Sequence, residues 1–392
     1  MDTSALAQQV FAREFGGARP AVITRAPGRL DLLGGHTDYN EGFVLPIAID
    51  RAVYVAASPV RAASAATRRV RLYSDHFRQT VEFDLANITR DETAPWSNYV
   101  RGVALELQQA GHTLCGVDAA LVSTVPVSSG VSSSAALELS VCLALTACAG
   151  LELDRLEMAR LCQRAENEFV GMRCGILDQY SSAFGRRDQA LLLDCRSLTH
   201  QEVPLSGAPV VFVVLDTKKP RPLVASAYNE RRAQCEEAVR LLAEVLPGVG
   251  ALRDVSPEDL ERHQARLPET VRRRARHVVG ENDRVLRAAE RCRAGDMPGL
   301  GRLQHESQAS LRDLYEVSCP ELEAITSAAE RHPACYGSRL VGAGFGGCAI
   351  ATVAAGSAED FIAFVTAEYV AAIGHEPEVY ATTAAQGAEV LT

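Results

Sequence analysis

The sequence predicts an α+β protein of two domains, and three observations carry that expectation. Of its 392 residues, 47% are hydrophobic and 23% charged, enough apolar surface for more than one core. In the first quarter, apolar and polar residues alternate at Val53 and Val55, at Val70 and Leu72, and through Val81-Glu-Phe-Asp-Leu85, the period of antiparallel strands with one buried face. Later the period lengthens. Ala135–Ala149 is an almost wholly apolar helical run, Leu153–Val170 carries a helical stripe, and 250–332 reads as successive helices with caps at Asp254–Pro257 and breaks at Pro268 and Pro298.

Taken in order, Leu6, Val10, Phe11 and Phe15 give one short helix within 1–20 that ends at Gly16-Gly17. Two apolar runs follow, Ala21–Ile23 and Phe43–Ile49, and between them Arg29, Asp31, His36, Asp38, Tyr39 and Asn40 crowd hydrogen-bonding groups together. Pro27 and Gly28 are expected to break the first strand, while Gly34 and Gly35 allow a positive φ or a close backbone approach. A polar loop held by buried strands is a natural place for ligand contacts, and it is too long to be only a capped turn. A helix begins at Trp96 and runs to Gln109, before the break at Gly111. Trp96 reads as core packing.

Leu121–Pro126 is expected to be a strand, Val127–Ser134 a loop of small residues, and the apolar helix follows directly. Ser128, Ser129, Gly130, Ser132, Ser133 and Ser134 thus stand where unpaired amides, hydroxyls and the positive end of the helix dipole face a ligand, which makes an anion site. A P-loop is excluded because no Gly-Lys-[Ser/Thr] ends the run. In the next helix Leu156, Ala159, Cys162, Phe169 and Val170 form the apolar stripe, with Glu166 in its middle and Glu168 opposite. A carboxylate on a buried face should be ion-paired or functional. Asp178 follows a Cys-Gly turn, where its plainest role is to cap a helix over Gln179–Phe184. The strands Ala190–Asp194 and Val210–Leu215 bracket the expected domain boundary, giving domains 1–205 and 206–392. Near the end, Leu340–Ile350 is a Gly-rich turn into a strand, which does not suit a dinucleotide fold because no helix follows.

Composition removes other classes. A net charge of −9 argues against a nucleic-acid surface, and the short cluster Arg272–Arg276, beside Pro268 and Glu269, reads as a solvated helix face. No apolar run reaches the ~20 residues that span a bilayer, and the N-terminus lacks a basic segment followed by an apolar one. Eleven scattered cysteines, among them Cys142, Cys148 and Cys162 in apolar helices and none in Cys-x-x-Cys spacing, read as reduced core residues. The expectation is a soluble cytoplasmic protein with a small partner, without nucleic acid or membrane, and acting as a monomer.

Gly28-Arg-Leu-Asp-Leu-Leu-Gly-Gly-His-Thr-Asp-Tyr-Asn40 resembles the galactokinase signature of the GHMP small-molecule kinases, with Asp31 in place of Asn and Gly35 in place of Glu. The likeness continues through Trp96–Gly102, through Pro126, Gly130 and Ser132–Ala135 (with Ser128 for a Gly), through Cys174-Gly-Ile-Leu-Asp-Gln179 (with Arg173 for a Pro), and through the Gly-rich turn at 340–350. It covers nearly the whole chain in family order. The resemblance implies a two-domain GHMP kinase fold, with an N-terminal domain like ribosomal protein S5, a ferredoxin-like C-terminal domain and the active site between them.

It also implies ATP-dependent phosphorylation of the anomeric hydroxyl of a galactose-configured sugar, with Mg2+ as cofactor. Asp178 would be the base and Arg29 would pair with it and stabilise the phosphoryl group. His36, Asp38, the Gly175 amide and Tyr228 would hold the sugar, with Gly35 at its edge. Ser133 and Glu166 would hold the metal, the 128–134 loop the phosphates, and Trp96 would wall the adenine. Gly35 leaves the sugar open, because the family's Glu is implied to bind the outer hydroxyls and plant arabinokinases share Gly-Gly here: L-arabinose is the alternative to D-galactose. A catalytically silent sugar-binding regulator is the reading from another class.

Overall fold

The computed structural model describes residues 2–60, 68–127, 129–205, 210–220 and 224–391. Its first sheet comprises β1 (Val22–Leu33), β2 (Phe43–Pro59), β3 (Arg69–Ser74), β4 (Gln79–Asp84), β5 (Val117–Ser123), β6 (Gln189–Asp194) and β7 (Thr199–Pro204), joined near the C-terminus by β12 (Glu389–Val390). The strand order is β12-β1-β2-β5-β3-β4, with β6 on the end of the long β2 and β7 beside β6. β8 (Val210–Asp216), β9 (Cys335–Leu340), β10 (Cys348–Ala354) and β11 (Glu378–Thr382) form a second, antiparallel sheet in the order β11-β8-β10-β9. The stretch between β6 and β8 holds one strand more than its apolar pattern suggests. β7 reads Thr-His-Gln-Glu-Val-Pro and buries little besides Val203, so its sequence carries no apolar period.

The helices are α1 (Thr3–Glu14), α2 (Ser97–Gln109), α3 (Ser133–Ala149), α4 (Arg155–Arg164), α5 (Leu177–Phe184), α6 (Val224–Ala243), α7 (Pro257–His263), α8 (Glu269–Arg293), α9 (Met297–Ser310), α10 (Pro320–Arg331) and α11 (Ala358–Ile373). α3 is buried almost all round and packs on β1, β2, α2 and α5, as its apolar sequence requires. The 153–170 stretch is not one regular helix: α4 ends at Arg164 and Ala165–Val170 is a π-helical turn. The wider turn rotates the following residues relative to a regular helix, a device frequent at functional sites. The cluster at 272–276 also differs from a solvated face. Arg274 is buried, giving a hydrogen bond to the Leu314 carbonyl at 2.5 Å and pairing with Glu316.

There are two large cores. One lies between the first sheet and α2–α5, the other between the second sheet and α6, α8, α10 and α11. α8 belongs to both: Val271, Ala275, Val278 and Val279 lie in the second core, Val285, Ala288, Ala289 and Cys292 in the first. At 25 residues, about 38 Å long, it is a strut between the two cores. No two cysteines are joined by a disulfide among the described residues, and no helix there is long and apolar enough to cross a membrane.

Candidate active site

β1 does not stop at Pro27. It runs on to Leu33, and the irregularity appears instead as a shift in its pairing with β2 between Pro27 and Arg29. A bulge is where a strand tolerates proline, and its local twist re-aims the next side chain. Gly28 is required there, since a Cβ would lie 2.6 Å from the Val131 carbonyl oxygen. That close approach brings the Gly/Ser loop onto β1, and the Arg29 amide donates to the same carbonyl at 3.1 Å.

Arg29 is buried and its guanidinium reaches three groups. Nε and Nη2 meet Asp178 Oδ1 at 2.9 and 2.7 Å, Nη1 donates to the Gly130 carbonyl at 2.9 Å, and Asp31 Oδ1 lies 3.1 Å from Nε. Burial disfavours the cation, but Asp178 and Asp31 outweigh it and hold Arg29 above the usual guanidinium range. Asp178 is not the cap of α5. It lies in the first turn, with Ile176 at the cap position, where the helix dipole favours a negative charge.

Behind Asp178 lie two buried carboxyl groups, Glu166 on the π-helical turn and Glu138 on α3. The Gln179 side-chain amide bridges them, donating to Glu138 Oε2 at 2.9 Å and to Glu166 Oε2 at 2.8 Å. Among the described residues neither carboxyl forms an ion pair with a cationic side chain, so a buried salt bridge does not explain Glu166. Burial, then the nearby Asp178 charge, pushes Glu166 up to about 7, against hydrogen bonds from Ser134, Gln179 and Cys174. Burial and Glu166 raise Glu138 well above the carboxylate range. The serine bonded to Glu166 is Ser134, while Ser133 is the first residue of α3.

Of the Gly/Ser loop, Ser129 is buried and donates to the Pro126 carbonyl at 3.0 Å. Gly130 has φ 98° and Ser132 φ 60°, and the buried Ser132 Oγ has no partner among the described residues. Ser128 lies outside the described residues. Trp96 sits at the cap position of α2, nine-tenths buried, stacked on Phe77 at 5.7 Å and donating to Gln79 Oε1 at 2.9 Å. It is a core residue with an aromatic neighbour that is itself exposed.

The other end of the site is aromatic. His36, held at φ 64°, packs against Tyr228 of α6 and Tyr315, and its Nδ1 lies 2.9 Å from the Tyr39 hydroxyl. That hydroxyl bonds Tyr315 at 2.6 Å, and Tyr315 bonds Cys235. Burial keeps His36 well below the usual imidazole range, and therefore neutral. Asp38 packs against Gly175 so closely that a Cβ there would overlap the carboxylate. Burial, then the Asp178 charge, pushes Asp38 up to about 7. A cleft of about 420 Å³ reaches Asp38, Tyr39, Cys174, Gly175 and Arg232.

Gly35 is enclosed: a Cβ would lie 2.5 Å from Nη2 of Arg339, a fully buried arginine. Sequence reasoning singled out neither Arg339 nor Glu138, Gln179 and Glu281, which complete this site from behind. A lone Glu in the apolar α3 was a visible signal for Glu138. Glu281 and Arg339 lie in segments whose sequence carries no comparable mark.

Three family descriptions match in order: the galactokinase galactose-binding signature at residues 9–59, the GHMP kinases N-terminal domain at 98–186 and the GHMP kinases C-terminal domain at 287–371. The chain is 47% identical over 387 residues to a galactokinase of Roseiflexus sp. (strain RS-1), covering 99% of this chain and 97% of that one. It is 40% identical over 388 residues to the galactokinase of Homo sapiens, covering 98% and 96%. Lactococcus lactis galactokinase, solved with galactose, superposes with a TM-score of 0.94 at 36% identity over 99% of this chain and 100% of that one. A mevalonate kinase shares the fold, with a TM-score of 0.62 at 15% identity over 93% of this chain and 99% of that one. With likeness of this extent from end to end, the chain belongs to the galactokinase family of GHMP kinases.

Proposed function

We propose that this protein transfers the γ-phosphoryl group of ATP to the anomeric hydroxyl of D-galactose, with the active site between residues 1–205 and 206–392. The observation that carries the reading is the Arg29 guanidinium, which binds the Asp178 carboxylate and the Gly130 carbonyl of the Gly/Ser loop at once. A base and a phosphate loop are thereby locked to one cation, as phosphoryl transfer requires, since it depends on positioning and charge more than on covalent chemistry. Asp178 accepts the proton of the anomeric hydroxyl as its oxygen attacks the γ-phosphorus, the bond from that phosphorus to the β–γ bridging oxygen breaks and ADP leaves. Arg29 stabilises the negative charge on the transferring group.

His36, Asp38, the Gly175 amide and Tyr228 hold the sugar. Near neutral pH Asp38 is divided between acid and carboxylate, so it can donate to one sugar oxygen or accept from another. The donor set also fits a hard divalent cation. Glu166 is a buried carboxylate with neutral hydrogen-bond partners, and Mg2+ commonly takes one or two protein oxygens beside substrate phosphates. Glu166 and Ser133 would hold it, and Mg2+ when bound supplies charge neutralisation on the phosphates. Ser129, Gly130, Ser132 and Ser134 line the phosphate loop, with Ser128 inside the same run. Phe77, exposed and stacked on the buried Trp96, offers the adenine an aromatic face. The reading places the enzyme in the cytoplasm.

Gly35 favours a second substrate, L-arabinose. Glycine offers no side chain to an exocyclic hydroxymethyl group, and a missing hydrogen bond costs about 1 kcal/mol. The deciding experiment is ADP release with Mg2+ and ATP, comparing kcat/KM for D-galactose, L-arabinose and N-acetylgalactosamine. Preference for galactose supports the first reading and preference for arabinose the second. No turnover on any sugar sinks both.

A further inference from the structure

The double glycine at the start of the sugar loop makes its backbone hydrogen bonds with neither β1 nor β2. The Gly34 and Gly35 amides donate to Glu281 Oε1 at 2.9 and 3.2 Å, and the Gly35 carbonyl lies 2.9 Å from His277 Nε2. Both acceptor and donor come from α8, some 240 residues away along the chain. Glu281 is fully buried, and its Oε1 also accepts from the Ser307 hydroxyl of α9 at 2.8 Å, while Oε2 pairs with Arg284 at 2.7 Å. His277 is fixed in turn by Ser310 of α9 at 2.8 Å. Burial works against the charged form of Glu281, but Arg284 and Arg339 prevail and hold it well below the usual carboxylate range.

Position on α8 gives this contact its meaning. Glu281 lies where the helix passes from the second core, after Val279, to the first, before Val285. The residue that follows the two glycines is strained, while the glycines themselves take up the turn at no steric cost. Gly34 has φ 107°, and the next residue but one, His36, is held at φ 64°, a conformation that side chains rarely adopt. Such geometry persists only where its surroundings over-determine it, and here they are the carboxylate and imidazole of α8 together with two side chains of the loop itself, Thr37 donating to the Gly34 carbonyl and Asn40 to the His36 carbonyl, each at 2.9 Å.

We propose that Glu281 is a positioning residue for sugar recognition: from the second core it sets the backbone of Gly34–Gly35 and thereby the orientation of His36 and Asp38. The proposal rests on the reading that His36 and Asp38 bind the sugar. Glu281 is buried behind the loop and bonded to its backbone amides, so its loss acts on sugar affinity through the loop and leaves the nucleotide end alone.

The test is galactose binding by calorimetry without nucleotide, together with KM for galactose and for ATP, on wild type, Glu281→Gln and Glu281→Ala, with thermal unfolding of each. Removing an acceptor from buried amides costs enough to weaken galactose binding ~10-fold in Glu281→Gln and ~100-fold in Glu281→Ala, with KM for ATP within about twofold of wild type. If Glu281→Ala does not fold, Glu281→Gln decides, because it keeps the shape and one acceptor oxygen. Galactose affinity within twofold of wild type in Glu281→Gln, or an equal loss of galactose and ATP binding, overturns the proposal. A wild-type protein that binds no galactose would instead overturn the underlying assignment of the sugar site.

Discussion

The two ends of the site are built on opposite plans. At the phosphoryl end, Arg29, Asp178, Glu166, Glu138 and Gln179 all come from elements packed in the first core, and charge is dense: the Arg29 guanidinium pairs with Asp178 and Asp31, and burial pushes two further carboxyl groups, Glu138 and Glu166, toward their neutral forms. At the sugar end, His36, Tyr39, Tyr228 and Tyr315 are neutral and aromatic, and the charged groups Glu281 and Arg339 stand behind them and come from the second half of the chain. On the proposed roles, the difference teaches that reaction and recognition would have separate supports. The charged end is held within one core by short contacts, whereas the aromatic end depends on backbone geometry fixed across both cores.

The comparison breaks most readily at Asp178. Asp178→Asn should lower kcat by ~10²- to 10⁴-fold with galactose and ATP affinities within a few-fold, measured by single-turnover phosphorylation and by calorimetry. An Asn variant that turns over at the wild-type rate would remove the base from the phosphoryl end. Gly35 probes the other plan. A Cβ at this position meets a fully buried guanidinium that cannot swing into solvent, so Gly35→Ala should destabilise the fold by about 1–3 kcal/mol and raise KM for galactose while sparing KM for ATP. Unchanged denaturant midpoints would mean that Arg339 repacks freely.

Asp38 joins the two ends and gives the comparison a pH dependence. Its carboxyl is pushed up to about 7, so between ~4 and ~7 the folded chain holds a proton that the unfolded chain has released. Its contribution to stability therefore falls as pH rises through that window. Asp38→Asn removes the ionisation, and the ligand-free variant should gain on the wild type by on the order of 1 kcal/mol per pH unit there, levelling off above. Paired thermal unfolding at pH ~5 and ~8 checks this, and a difference that does not grow with pH would contradict it. The smallest effect is expected at Arg173, which is half-exposed and pairs with an equally exposed Glu236. Arg173→Ala should stay within about 0.5 kcal/mol in stability and about twofold in kcat/KM, so a large loss would extend the site to this loop.

Much of this was legible in the sequence because it is written locally. The period of β3 and β4, the apolar α3 and the placement of Glu166 on a buried face follow from residues within a few positions of one another. The polar stretch 25–46 likewise stood out as a crowd of hydrogen-bonding groups, and the structure brings its Arg29 to Asp178 of a separate motif. What was misread depended on surroundings. Pro27 and Gly28 look like a strand end, yet a bulge against β2 lets β1 continue, and Arg274 in a run of arginines looks solvated until Glu316 closes over it.

The sequence by itself determined the class, the order of the motifs and the chemistry of most of the groups proposed to meet the substrates, because spacing and residue type are local properties. Only the tertiary structure decided what stands behind them: the Gln179 bridge between Glu138 and Glu166, the Arg339 guanidinium against Gly35, and the Glu281 carboxylate under Gly34 and Gly35. Most of these partners are far apart along the chain. Which buried donor meets which buried acceptor is fixed only when the first core closes around Gln179 and the two cores meet on α8, since burial is what makes an unpaired polar group costly and its partner obligatory.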